Sequence, residues 1–439
     1  FAYAMPVALI GALTDDPALK LDNASVNAAL AAGSMMRAVG KACNGVTVDA
    51  VGARPFLRVI LLLAALGAAC FSAAQGRGML VCVIGLLGFC NSGGWLAAVK
   101  VIEAGFHRDA WSDCFSALAT FSRLGAITAR IGLSSLLVAL RWRSIALISS
   151  PLVLCSWLVT TQMLLRGGAS SVNHMDVNAP KLDELEVGKR GPAEPKLSRI
   201  ARMLTNRGLV LQCMIVASAS CLMSLENMCP LLLKDLTGLN NAQIGVLATA
   251  FPSGVLVGVV ITPRIFARIG TPFGKLCFEL GLQMVTLLAC LATSVLASLD
   301  TGSVHPAMFL ACLVLMAFGI SLNYYIKPSM HCLEFGEDCA TASSLFNGLG
   351  LLAAVLFQLA ASHIFHRGGN WQEVMLLSAA LAVPMPVCSV LLFVERSGRK
   401  PAGACPKAIG ASIGQLACAL ASPLLFWRAA PGSKTRWSA

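Results

Sequence analysis

Charge is what this chain has least of: only 12% of its 439 residues are Asp, Glu, Lys or Arg, and tyrosine occurs three times. So little charge beside 57% hydrophobic residues and a mean hydropathy of +0.75 excludes an ordinary soluble domain. Also missing are a Walker phosphate loop, a GxSxG elbow, an HExxH helix and a CxxC pair with accompanying histidine, so the chemistry of an ATP-driven pump, a hydrolase or a zinc site is absent. No cofactor motif stands in their place. Seventeen cysteines are present, but most are scattered singly through apolar runs, where cysteine behaves as a small apolar residue.

What is present is a series of long apolar stretches. A bilayer core about 30 Å thick takes roughly 20 apolar residues per helix. The runs here are too long and too uniform for the alternating strands of a barrel. Spans are expected near 24–49, 56–75, 79–104, 111–140, 143–165, 208–234, 242–264, 271–299, 306–327, 338–364 and 371–394. Residues 1–14 look like the second half of one more, and the start at Phe1 without a basic leader reads as a truncated N-terminus rather than a signal peptide.

Placing the loop around Asp49 in the cytoplasm gathers Arg54, Arg108, Lys181, Arg264, Lys275, Arg396 and most other loop cations on one side, as the positive-inside bias requires. This bias accounts for much of the net charge of +12, so nucleic acid is not an expected partner. One stretch, 167–207, is polar and rich in Pro and Gly and reads as a cytoplasmic linker. It separates an amino-terminal half, 1–166, from a carboxy-terminal half, 208–395, each of about six spans, followed by a tail, 396–439. Two helical repeats of this kind are the layout of many secondary transporters. Setting Gly52 against Gly270 places GVTVDAVGARP beside PRIFARIGTPF in the equivalent loop of each half.

The run GVTVDAVGAR, residues 45–54, keeps a carboxylate in apolar surroundings. It resembles the signature loop of the major facilitator superfamily, with Gly45, Asp49, Gly52 and Arg54 at the matching positions and Ala50 where a basic residue is usual. The resemblance implies an all-α membrane protein of twelve helices in two six-helix halves, with this loop as part of a cytoplasmic gate. On the residues alone, Asp49 could simply cap a helix end. Within that superfamily, FAYAMP, GKACNGVTVDAVGAR, GFCNSGGWLAAVK with Lys100, and ATASSLFNGLG are similar to the organophosphate:phosphate antiporters. That likeness implies a small anionic metabolite as partner, with phosphate or protons as coupling ion.

Ionisable groups at membrane depth are costly and tend to mark a path or a partner. Arg37 and Lys41 share one face of the second span, and Arg123 and Arg130 one face of the fifth. Arg37 and Arg123 count to the middle of the bilayer, where their forks suit phosphate or carboxylate; Lys41 could assist. Arg130 and Lys100 lie nearer helix ends and could snorkel. The alternative for the arginines is internal pairing, with Glu226 or Glu279 as partners. Glu226 itself has two readings, a titrating group that couples transport to protons or a plain counter-charge. Asn91, Trp95, Asn323, Tyr324, Tyr325 and Asn347 could line the same site. NYYIK, 323–327, would equally suit an interfacial aromatic belt, the reading that Lys327 favours. Glycines such as Gly94, Gly125, Gly254, Gly258, Gly348 and Gly350 would let helices approach, and Pro230, Pro252 and Pro384 would permit bends. The reading that follows is a secondary transporter of a small organic anion working by alternating access; an amino acid or peptide carrier and a non-transporting sensor are the alternatives.

Overall fold

The computed structural model describes residues 4–105, 111–170, 205–299, 305–326 and 339–398. Of the linker expected at 167–207, residues 167–170 instead belong to a helix that ends at Ser170, and 171–204 lie outside the described residues, as does the tail after residue 398. The chain divides into two compact units, Phe1–Ser389 and Val390–Ala439, and of the second only the end of the last helix is described.

The described chain is helical throughout. Two short helices, α1 (Ala4–Ala8) and α2 (Ile10–Thr14), precede α3 (Asn23–Val51), α4 (Ala53–Ser72), α5 (Arg77–Gly105), α6 (Trp111–Leu136) and α7 (Trp142–Ser170). After the linker come α8 (Arg207–Thr237), α9 (Asn241–Leu247), α10 (Ala250–Arg268), α11 (Pro272–Ser298) and α12 (Pro306–Ser321). A π-helical turn, Leu322–Ile326, extends α12, and α13 (Cys339–His366), α14 (Trp371–Ala382) and α15 (Pro384–Gly398) complete the set. Pro252 and Pro384 stand just beyond the interruptions that split α9 from α10 and α14 from α15, whereas Pro230 lies inside an unbroken α8.

Local sequence sets the boundaries. Asp22 accepts from the Ser25 amide at 2.8 Å to start α3, Asn240 and Gln243 form a reciprocal capping box at α9, and Thr271 caps α11 with Pro272 in its first turn. Gly238, at φ 63, closes α8 in the left-handed conformation. The turn between α3 and α4 is a single residue, Gly52, at φ 89 and ψ 150. That backbone region is close to forbidden for any residue bearing a Cβ. Its amide donates to the Val48 carbonyl and its carbonyl accepts from Phe56, so one glycine ends one helix and begins the next.

Nine described helical stretches are long and apolar enough to cross a membrane. Two long helices, α3 and α6, fall outside that set, and they carry Arg37, Lys41, Arg123 and Arg130. Large apolar side chains point outward around the bundle, among them Phe121, Val159, Val295 and Leu356, a surface suited to lipid. Inside, Phe71, Phe251 and Phe309 are fully enclosed. Close crossings depend on missing side chains: a methyl on Gly88 of α5 would stand 2.2 Å from the Gly33 carbonyl oxygen of α3. Gly254, Gly258 and Gly350 sit at similar crossings. A methyl on Gly94, Gly125 or Gly348 would meet no described neighbour within 4 Å, so the close-approach expectation does not hold for these three. The described cysteines are all free thiols.

Candidate functional site

A cavity of about 140 Å³ lies between helices from both sides of the linker. It has room for about ten water-sized spheres, the scale of a compact metabolite. Arg37 from α3, Asn91 from α5, Arg123 and Arg130 from α6, Glu226 and Asn227 from α8, and Tyr324 from the π-helical turn all line it. Four of the expected ligands, Arg37, Asn91, Arg123 and Tyr324, therefore meet in one place, together with the expected coupling residue Glu226.

Their geometry centres on one carboxylate. Arg123 Nη1 donates to Glu226 Oε2 at 2.9 Å, and Arg130 Nη2 donates to Glu226 Oε1 at 2.8 Å. The seven-residue spacing of the two arginines puts them on one face of α6, two turns apart, so they grip the carboxylate from both ends. The two cations are not equivalent. The Arg130 side chain is 3% exposed, against 20% for Arg123. Arg130 thus does not snorkel to an interface: its counter-charge lies beside it inside the bundle, which removes the reason to reach for water. Nε and Nη1 of Arg130 have no hydrogen-bond partner among the described residues, so Glu226 is its anchor.

Arg123 is held from a second direction. Its guanidinium carbon stands 5.1 Å from the centroid of the Tyr325 ring, a cation–π contact, and Tyr325 packs edge-on against Tyr324 with centroids 4.6 Å apart. Both tyrosines stand on the π-helical turn: Tyr324 lines the cavity, and Tyr325 packs behind it against Arg123. For Tyr324 the aromatic-belt reading of NYYIK is therefore replaced by a place in the cavity wall; Lys327 lies outside the described residues. Three guanidinium groups against one carboxylate leave the cavity lining with a formal surplus of two positive charges.

Other expected residues lie elsewhere. Lys41 Nζ donates to Asn347 Oδ1 at 2.9 Å, joining α3 to α13 one turn beyond Arg37. Trp95 is 38% exposed and is not part of the cavity wall, although it lies one turn along α5 from Asn91, which is. Glu279 accepts from Ser389 Oγ at 2.7 Å and from Gln283 Nε2 at 3.1 Å, in a buried cluster between α11 and the start of α15 that is apart from the arginine site. In the signature run, Gly52 makes the junction described above and Arg54 is exposed in the first turn of α4. Gly45 and Asp49 lie on α3, with their side-chain surroundings outside the described residues, as are those of Lys100 on α5. Ser122, Ser220, Ser224 and Asn227 line the cavity without having been singled out from sequence. Ser220, Ser224 and Asn227 recur at three- and four-residue spacing, so one polar stripe on the otherwise apolar α8 was the available signal.

No curated protein matches the sequence. Among solved structures, that of a mutant of the nucleoside transporter NupG superposes with a TM-score of 0.64 at 15% identity, covering 89% of this chain and 96% of that one. At that identity the likeness concerns the fold. The profile of the Major Facilitator Superfamily matches residues 1–326. With membrane-crossing helices on both sides of the linker, this is an integral, multi-pass membrane transporter, and the chain belongs to the Major Facilitator Superfamily.

Proposed function

We propose that the protein is a secondary active transporter of a small organic anion, with the cavity between Arg37, Arg123 and Glu226 as its substrate site and the helices before and after the linker as two halves that alternate in access. The observation that carries this reading is the surplus of two positive charges in a compact cavity whose more accessible guanidinium, Arg123, is backed by an aromatic ring. A low-dielectric cavity magnifies the attraction for an anion, and the planar fork of arginine suits phosphate or carboxylate. Asn91 and Tyr324 supply neutral groups for the remainder of the molecule, and Lys41 with Asn347 stands between the site and the end that carries Gly52. The likeness of several sequence runs to organophosphate:phosphate antiporters supports a phosphate ester as cargo and phosphate as counter-substrate.

Glu226 is saturated by two arginines, which argues against a carrier in which it would receive the amino group of an amino acid or peptide. The test is uptake of labelled phosphate into proteoliposomes preloaded with phosphate or a sugar phosphate. Wild type exchanges and Arg123→Ala loses at least tenfold, about the worth of one charge-assisted bond. A folded wild type that exchanges neither phosphate nor sugar phosphate rejects the phosphate reading, and a folded protein that binds anions without flux is a sensor.

A further inference from the structure

The grip on Glu226 has an asymmetry that the transport reading leaves unused. We infer that Glu226 is a built-in competitor for the substrate: its carboxylate occupies the Arg123 fork when the site is empty, and the anionic group of the substrate takes that fork by displacing Glu226 onto Arg130 alone. This deepens the anion-transport reading and rests on it. The substrate class it names is a compact anion with a phosphate or carboxylate group that can replace the carboxylate of Glu226 on Arg123.

Three observations carry the inference. First, the two ends of the carboxylate are bonded separately, Oε2 to Arg123 at 2.9 Å and Oε1 to Arg130 at 2.8 Å, so one bond can break while the other persists. Second, Arg130 is almost wholly enclosed and Arg123 is several times more exposed, so an arriving anion reaches the Arg123 side of the bridge first. Third, Arg130 has its remaining buried nitrogens unbonded and holds no other described counter-charge, so releasing Glu226 from it would leave a buried cation alone. Arg123 in contrast would exchange one carboxylate-like partner for another while keeping its contact with Tyr325. Glu226 is in this account a positioning residue and Arg130 its anchor. An empty carrier would then keep its own cation neutralised, and binding an anion would free Glu226 from α6 at one of its two attachments.

The deciding comparison uses the purified full chain in detergent and inorganic phosphate as probe, with affinity read by calorimetric titration. The paired substitution Arg130→Gln with Glu226→Gln removes one cation and one anion, so the formal surplus of the cavity stays at two while the competitor disappears. The expected result is phosphate binding about tenfold tighter than wild type, the worth of one charged hydrogen bond no longer broken on binding. A merely structural role for the pair predicts weaker binding, not tighter. Equal or weaker binding in the double variant, with wild type binding normally, overturns the competitor and leaves the anion site standing. Silence from both proteins toward phosphate, sulfate and succinate removes the anion reading and the competitor with it. If the double variant does not fold, Glu226→Asp is the second arm: one methylene shorter, it cannot span both forks, and phosphate binding tightens severalfold or the inference fails.

Discussion

At the scale of single residues, the hazard in this molecule is Arg130. It lies almost wholly out of solvent, and Glu226 supplies its counter-charge. Glu226→Ala would remove that charge and leave the guanidinium stranded, a loss of roughly 3–5 kcal/mol for breaking a buried pair from one side. The expected outcome is a large drop in the detergent unfolding midpoint, much larger than for the paired glutamine substitution, which strands no charge. Equal drops would mean that the pair contributes shape rather than charge balance. Sequence names Glu226 as one of two candidate partners for the intramembrane arginines, but not that it holds two of them at once. Arg37 and Arg123 stand out because intramembrane cations are rare, and the cavity does contain both. The partner of Arg130 lies 96 positions away on another helix, and no spacing rule connects α6 to α8. Counting from a helix end put Arg130 near an interface, but depth along a helix says nothing about which neighbour covers it.

At the scale of elements, sequence reading is most secure where a local rule fixes the answer. The spans expected near 24–49, 208–234 and 271–299 from apolar length correspond to α3, α8 and α11 with shifts of only a few residues, and in the structure Asp22, Asn206 and Thr271 cap their starts. What periodicity cannot see is an interruption inside an apolar run. Helices α9 and α10 part at Ala248–Thr249 and α14 and α15 at Val383, where only Pro252 and Pro384 hint at a bend, and nothing in the apolar run marks the π-helical turn at Leu322–Ile326. Gly52 is the opposite case, a motif residue whose local reason is plain: with φ 89 and ψ 150 between two long helices, it occupies a conformation essentially reserved for glycine. Space is not the constraint, since a methyl there would meet nothing closer than 3.8 Å. Gly52→Ala should therefore cost about 1–3 kcal/mol through the backbone alone. Gly94→Ala, in a helix interior with no described neighbour near, should be neutral or slightly stabilising. Comparing the two unfolding midpoints checks this, and a neutral Gly52→Ala would show that the α3–α4 turn can be rebuilt without strain.

At the scale of the whole molecule, the end opposite Gly52 is tied by two carboxylates of the loop after α2, Asp15 and Asp16, and by Asp235 at the end of α8. Asp15 accepts from Lys234 of α8 and, at 2.7 Å, from Asn241 of α9; Lys234 also donates to the Gly11 carbonyl at 3.0 Å. Asp16 accepts from Arg143 and, at 2.8 Å, from Trp142 Nε1. Asp235 receives Asn23 and Trp371, each at 2.7 Å. Segments more than 200 residues apart are thereby joined at one end, beyond the cavity. Burial pushes the Asp15 carboxyl up, but the bonds from Lys234 and Asn241 outweigh it and hold the group below the ordinary range. For Asp16 burial is again outweighed, here by Trp142 and Arg143, and for Asp22 the bonds from Ser25 lower it directly. A carboxyl lowered by folding contributes stability that is fully present above its unfolded value of about 3.9 and is lost as pH falls through the lower folded value. The unfolding midpoint in detergent should therefore fall as pH drops below about 4. At neutral pH, Asp15→Asn with Asp16→Asn should have a lower midpoint than wild type, and the gap between the two should close on acidification. Curves that stay parallel would mean these carboxylates do not support the fold. Convergence of the curves would identify this loop, with Lys234 and Asn241 as its partners, as a tie that holds this end of the fold together while its carboxylates are ionised.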